Sequence, residues 1–154
     1  MKRKLSLLTA VLLSLALLFG QVFVSADTTA EAPKISVSSV EKHSGETVDV
    51  TVSISNNPGI VSMLLNVNFD AADLELTKVT DGGILGDSVH SNKYQSPYTL
   101  SWSNDLLTSN ITANGLAVTL TFKISDKISE EKNIPITVTY NNDNYDIIDK
   151  NMKP

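Results

Sequence analysis

From residue 34 onward the chain is built from short segments in which apolar and polar residues alternate. In "TVDVTVSIS" (Thr47 to Ser55), Val48, Val50, Val52 and Ile54 share one parity, and Asp49, Thr51 and Ser53 the other. That two-residue period is the mark of a strand with one buried face. "SMLLNVNF" repeats it: Met63, Leu65, Val67 and Phe69 point one way, Ser62, Asn66 and Asn68 the other, and Leu64 is an apolar residue on the polar side. "KISVSSV" (34–40), "LELTKV" (74–79), "YTLSWS" (98–103), "LAVTLTFKI" (116–124) and "IPITVTY" (134–140) read as further strands. "NNPG" (56–59) is a turn, because Pro58 fixes φ and Gly59 tolerates a positive one. Residues 84–97 read as a long connection holding one short strand, and 104–115 as a loop. No helical stripe runs through residues 27–154. Strands with one apolar face need a second sheet to cover it, so the pattern predicts an all-β antiparallel sandwich of eight or nine strands.

The first 26 residues follow a different rule. Lys2, Arg3 and Lys4 precede the apolar run Leu5 to Phe19, and Val24 and Ala26 stand as small residues before Asp27. This is the layout of a secretory signal peptide, cleaved after Ala26. The apolar run is about 15 residues, short of the roughly 20 a membrane anchor needs. Residues 27–33 read as a flexible lead-in and 34–154 as one domain, with a bacterial extracellular location. Without the first 26 residues nine basic side chains face seventeen acidic ones, a net charge of about −8. Such a balance disfavours nucleic acid and anionic membrane as partners. Cysteine is absent, so the domain relies on its core rather than on disulfides.

The order of these pieces resembles the cohesin domain, the jelly-roll module of bacterial scaffolding proteins that docks dockerin domains borne by enzymes. The resemblance rests on "SGETVDVTVSISNNPGI", "NFDAADLEL", "YTLSWSND" and "GLAVTLTFKI" in that order, and runs from about Ile35 to Tyr140. It implies a flattened jelly roll with one flat sheet face for the partner. That face would present Ser62, Leu64, Asn66 and Asn68, then Thr99, Ser101 and Asn104, then Thr137 and Thr139. The partner would be a dockerin-bearing or other extracellular protein in polysaccharide breakdown, with no cofactor. The chain departs from the family in carrying Leu64 where an acid or amide is usual. The resemblance also implies one more strand, beside the first, after "YNNDNYDIIDKN"; Pro154 falls where it should begin, so the domain reads as C-terminally incomplete.

Other chemistry finds less support. His43 and His90 have no partners at triad-like spacing. Asp70, Asp73 and Glu75 sit where a turn meets a strand, and capping and solvation account for them. "NNDNYDIID", with Asp143, Asp146 and Asp149, lacks the central Gly and closing Glu of a calcium loop, and its acids are three apart rather than two; it reads as a solvated acidic loop. "NIT" at Asn110 matches a glycosylation triplet. The main alternative is a carbohydrate-binding module of similar fold with polysaccharide as partner, which would need an exposed row of aromatics; Trp102, Phe69 and their neighbours fall on the buried parity instead. A generic cell-surface adhesion or spacer module is a further alternative.

Overall fold

In a computed structural model the described residues are 31–86, 89–90, 93–104 and 109–154, with Val89 and His90 described by their strand pairing alone. The signal-peptide segment, the first part of the lead-in and the side chain of His90 lie outside them. The strands are β1 (Lys34–Val37), β2 (Thr47–Ser55), β3 (Ser62–Asn68), β4 (Leu74–Asp81), β5 (Val89–His90), β6 (Tyr98–Ser103), β7 (Gly115–Ile124), β8 (Thr137–Thr139) and β9 (Ile147–Ile148). One sheet has the order β1-β2-β7-β4 and the other β5-β6-β3-β8, with β9 also on β3. All pairings are antiparallel. The fold is a jelly-roll β-sandwich.

Alternation explains the interior. Val48, Val50, Val52 and Ile54 of β2, Met63, Leu65 and Val67 of β3, Tyr98, Leu100 and Trp102 of β6, and Val118, Leu120, Phe122 and Ile124 of β7 are all buried in one apolar cluster. Phe69 and Phe122 meet edge to face across the sheets, with ring centroids 5.0 Å apart. Each such side chain removed from water contributes roughly 1.5–3 kcal/mol, against a backbone ordering cost of about 1–2 kcal/mol per residue. Trp102 is 3% exposed, and its indole Nε1–H donates to the Leu85 carbonyl at 2.5 Å. That bond satisfies the one polar atom of a buried ring and ties the irregular 82–86 segment to the core.

Two bulges adjust the first sheet. The β2–β7 register shifts between Val52 and Ser53, and the β4–β7 register between Leu76 and Lys78. At the second, Thr77 leaves the ladder and its Oγ1–H donates to the Thr121 carbonyl at 3.0 Å. The turn into β3 needs its glycine: Gly59 has φ +115°, and a Cβ there would lie 2.7 Å from the Asn110 Cβ. Asn57 closes the same corner, accepting from the Gly59 N–H and donating to the Ile111 and Ala113 carbonyls. Residues 31–32, at the end of the lead-in, are held by Asn56 Nδ2, which donates to the Glu31 carboxylate and the Ala32 carbonyl.

Two readings from the sequence need correction. Asp73 is not explained by solvation: it is 8% exposed and pairs with the Lys132 ammonium at 2.5 Å, while its carbonyl accepts from the Ser125 N–H. The pair fastens the charged 125–133 segment to the start of β4. The segment after Tyr140 is not simply a solvated loop, since it contains β9, which returns to β3.

Val67 is fully buried between Tyr98 and Val138 in the register. Val67→Asp places an unpaired carboxylate there and is expected to cost at least about 3–5 kcal/mol, a large part of a typical domain's stability. Far-UV circular dichroism melts should show the variant unfolded or its Tm lowered by many degrees.

Candidate functional site

β3 is the centre of its sheet, and its two sides differ. On one side β6 pairs along nearly the whole strand: Ser62 lies opposite Ser103, Leu64 opposite Ser101 and Asn66 opposite Thr99. On the other, β8 covers Asn66 to Asn68 and β9 covers Ser62 and Met63. Between β8 and β9 the chain swings out over residues 141–146 and returns when Leu64 N–H donates to the Asp146 carbonyl at 2.7 Å.

Directly opposed residues of antiparallel strands share a face, so the outer surface follows from the register. Ser62, Leu64, Asn66, Asn68 and Ser101 are half-buried there, and Thr99, Thr137 and Thr139 are exposed. The structure therefore brings eight of the nine residues named from the sequence onto one surface. The ninth, Asn104, lies past the end of β6: its N–H donates to the Val61 carbonyl and its Nδ2 to the Ser109 carbonyl at 2.9 Å. It has the opposite parity to Thr99 and Ser101, and the exposed Ser103 continues their series instead. Parity alone would have found Ser103.

Side chains tie this surface across three strands. Thr99 Oγ1–H donates to Asn66 Oδ1 at 3.1 Å. Asn68 Nδ2–H donates to the Asn66 carbonyl at 3.2 Å and to Thr139 Oγ1 at 3.1 Å. Thr139 Oγ1–H in turn approaches the Asn66 carbonyl at 3.4 Å. Each bond contributes only about 0.5–1.5 kcal/mol. Their larger effect is to order these side chains before any partner arrives, which lowers the entropy lost on binding.

A second apolar residue joins Leu64. Ile148 stands opposite Ser62 and is half-buried; Ile147, one residue earlier, packs on the core. Ile148 thus falls on the outer face, diagonal to Leu64 in the register. Nothing short of the β3–β9 pairing reveals it, because two isoleucines in an acidic segment carry no period. The face is then an apolar pair bordered by hydroxyls and amides, and none of its strand residues is charged.

The acids beside it serve the backbone. Asp146 Oδ2 accepts from the Asn141 N–H at 2.6 Å, and Asn141 Oδ1 caps the short 3-10 helix Asn142–Asn144 by accepting from the Asp143 N–H. Asp149 accepts from the Lys153 and Asn151 N–H groups and from Asn151 Nδ2. The Lys153 amide, more than the Asn151 donors, draws its carboxyl below the ordinary carboxylate value. Among the described residues no cluster of three or more His, Cys, Asp or Glu is arranged to hold a metal ion. Asn110 Oδ1 accepts from the Lys150 N–H at 2.7 Å, so the amide of the glycosylation triplet is engaged within the fold. Tyr94, Tyr140 and Tyr145 are exposed, but Tyr94 tilts against Tyr98 and the chain's one tryptophan is buried. No helix among them is long and apolar enough to cross a membrane.

The fold is thus a sandwich with one sheet face whose side chains are tied to one another across three strands. The Cohesin domain family model matches residues 33–153, and the chain belongs to that family. The chain is 32% identical over 124 residues to cellulose-binding protein A of Clostridium cellulovorans, covering 78% of this chain and 7% of that protein; it thus spans a small fraction of that relative's length. Among solved structures, the sixth cohesin of Acetivibrio cellulolyticus scaffoldin B, in complex with a Cel5 dockerin variant, superposes with a TM-score of 0.67 at 22% identity, covering 80% of this chain and 91% of that one. The Clostridium acetobutylicum cohesin CaCohA2 gives 0.63 at 22% identity, with 79% and 82% covered. These likenesses establish the fold.

Removing the carboxylate of Asp146 should loosen the excursion alone. In Asp146→Ala, amide hydrogen exchange at Asn141 is expected to accelerate about tenfold or more, with the β2–β7 amides unchanged.

Proposed function

We propose that this domain is an exported, non-catalytic docking module that receives a dockerin-bearing protein on the outer face of β6, β3, β8 and β9. The observation that carries the reading is the composition and order of that face. Leu64 and Ile148 supply an apolar centre, and Ser62, Ser101, Ser103, Asn66, Thr99 and Thr139 surround it with groups able to hydrogen-bond. An anchor inside a polar border is the usual anatomy of an interface hot spot. Family membership supports the same reading, as do neighbours solved as cohesin–dockerin complexes.

The basic start, apolar run and small residues of positions 1–26 support export, and the thiol-free composition suits a bacterial secreted protein. Likeness to the cellulose-binding protein of Clostridium cellulovorans supports a setting in polysaccharide breakdown. Burial of Trp102 counts against a sugar platform, because stacking needs a ring open to solvent. On this reading the domain contributes attachment, and catalysis belongs to the protein it holds.

Leu64→Asp tests the assignment. The side chain lies on the outer face, so Tm should fall by no more than a few degrees, while titration calorimetry against dockerins encoded in the same genome should show binding weakened more than tenfold. Folding damage as severe as that of Val67→Asp would mean that Leu64 belongs to the core. Because the strand residues of the face are uncharged, affinity should change by less than about threefold between 50 and 500 mM salt, since screening acts on charge pairs.

A further inference from the structure

The excursion between β8 and β9 ends its 3-10 turn on a left-handed cap residue. Its last residue before the ladder resumes, Tyr145, has φ +59° and ψ +35°. Left-handed backbone is uncommon for a bulky residue and costs of order 1 kcal/mol or more, and Gly or Asn takes it more easily. Asparagines occupy three of the four positions before Tyr145 (Asn141, Asn142 and Asn144), yet the strained position itself holds a tyrosine.

The ring gains nothing visible from burial: Tyr145 is 60% exposed, the most exposed large apolar residue described. Its backbone is nonetheless held firmly. Tyr145 N–H donates to the Asn142 carbonyl at 3.0 Å, Asp146 N–H to the Asn141 carbonyl at 3.2 Å, and the Asp146 carbonyl receives the Leu64 N–H. The Asp146 carboxylate closes the loop on the Asn141 N–H. A large amphipathic side chain is thus displayed in water on a braced, strained backbone, next to the residue that pairs with Leu64.

We propose that Tyr145 is a specificity-determining contact of the docking face, selecting dockerins that bring an apolar side chain to the rim beside Leu64 and Ile148. This rests on the docking reading above. A tyrosine on a fixed backbone offers a large contact area at the cost of two side-chain torsions, which is why such residues concentrate binding energy at interfaces. The strain would persist because the ring is used by the partner.

The test uses the whole domain and a panel of recombinant dockerins encoded in the same genome, with affinity read by calorimetry and stability by thermal melts. Tyr145→Gly removes the ring and relieves the left-handed residue, so its Tm should be unchanged or raised while the Kd of the tightest dockerin rises at least tenfold. Tyr145→Phe should stay within about threefold of the wild type, and so should Tyr94→Ala, which removes an exposed ring from a different segment. Binding by Tyr145→Gly within threefold of the wild type would overturn the rim assignment and leave docking at Leu64 standing. A clear fall in its Tm would overturn the strain argument, and the assignment with it. Failure of the wild type to bind any dockerin would sink the docking reading itself.

Discussion

The structure depends on β3 lying between two ladders while also dividing two environments. Its N–H and C=O groups are shared between β6 on one side and β8 and β9 on the other, so the strand cannot shift register without losing bonds on both flanks. A one-residue slip would send Leu64 and Asn66 into the core and Met63 and Val67 into water. Burial of Met63, Leu65 and Val67 therefore fixes the outward direction of their neighbours. The core and the face are two consequences of one register.

That coupling explains why so much was legible from the chain alone. β2, β3, β6 and β7 each alternate over six residues or more, and for such segments period and burial are nearly the same statement. The outward set on β3, β6 and β8 could be named before any coordinates, except where the end of β6 put Asn104 in the place that belongs to Ser103. The strands also recur in an order specific enough to suggest the family.

What was not legible is non-local or short. β9 has two residues, too few to show a period, and exists because β3 offers an unpaired stretch beside Ser62. Ile148 joins the face only through that pairing. Asp73 looked like an ordinary turn acid because its partner Lys132 lies 59 residues away. Asp146 and Asp149 read as members of a solvated acidic loop because the backbone N–H groups their carboxylates accept from come together only in the folded turn. Tyr145 reads as an ordinary loop residue until its backbone angle is known.

The buried indole of Trp102 has a practical side. It is the chain's one tryptophan, set on the inner side of β6, directly behind the strand that carries Thr99, Ser101 and Ser103 outward. Its fluorescence is therefore a built-in gauge of whether the sandwich is closed, recorded from a position a visiting protein does not touch. Loss of the interior and arrival of a guest would leave different optical traces, so the two events can be followed separately in one unlabelled sample.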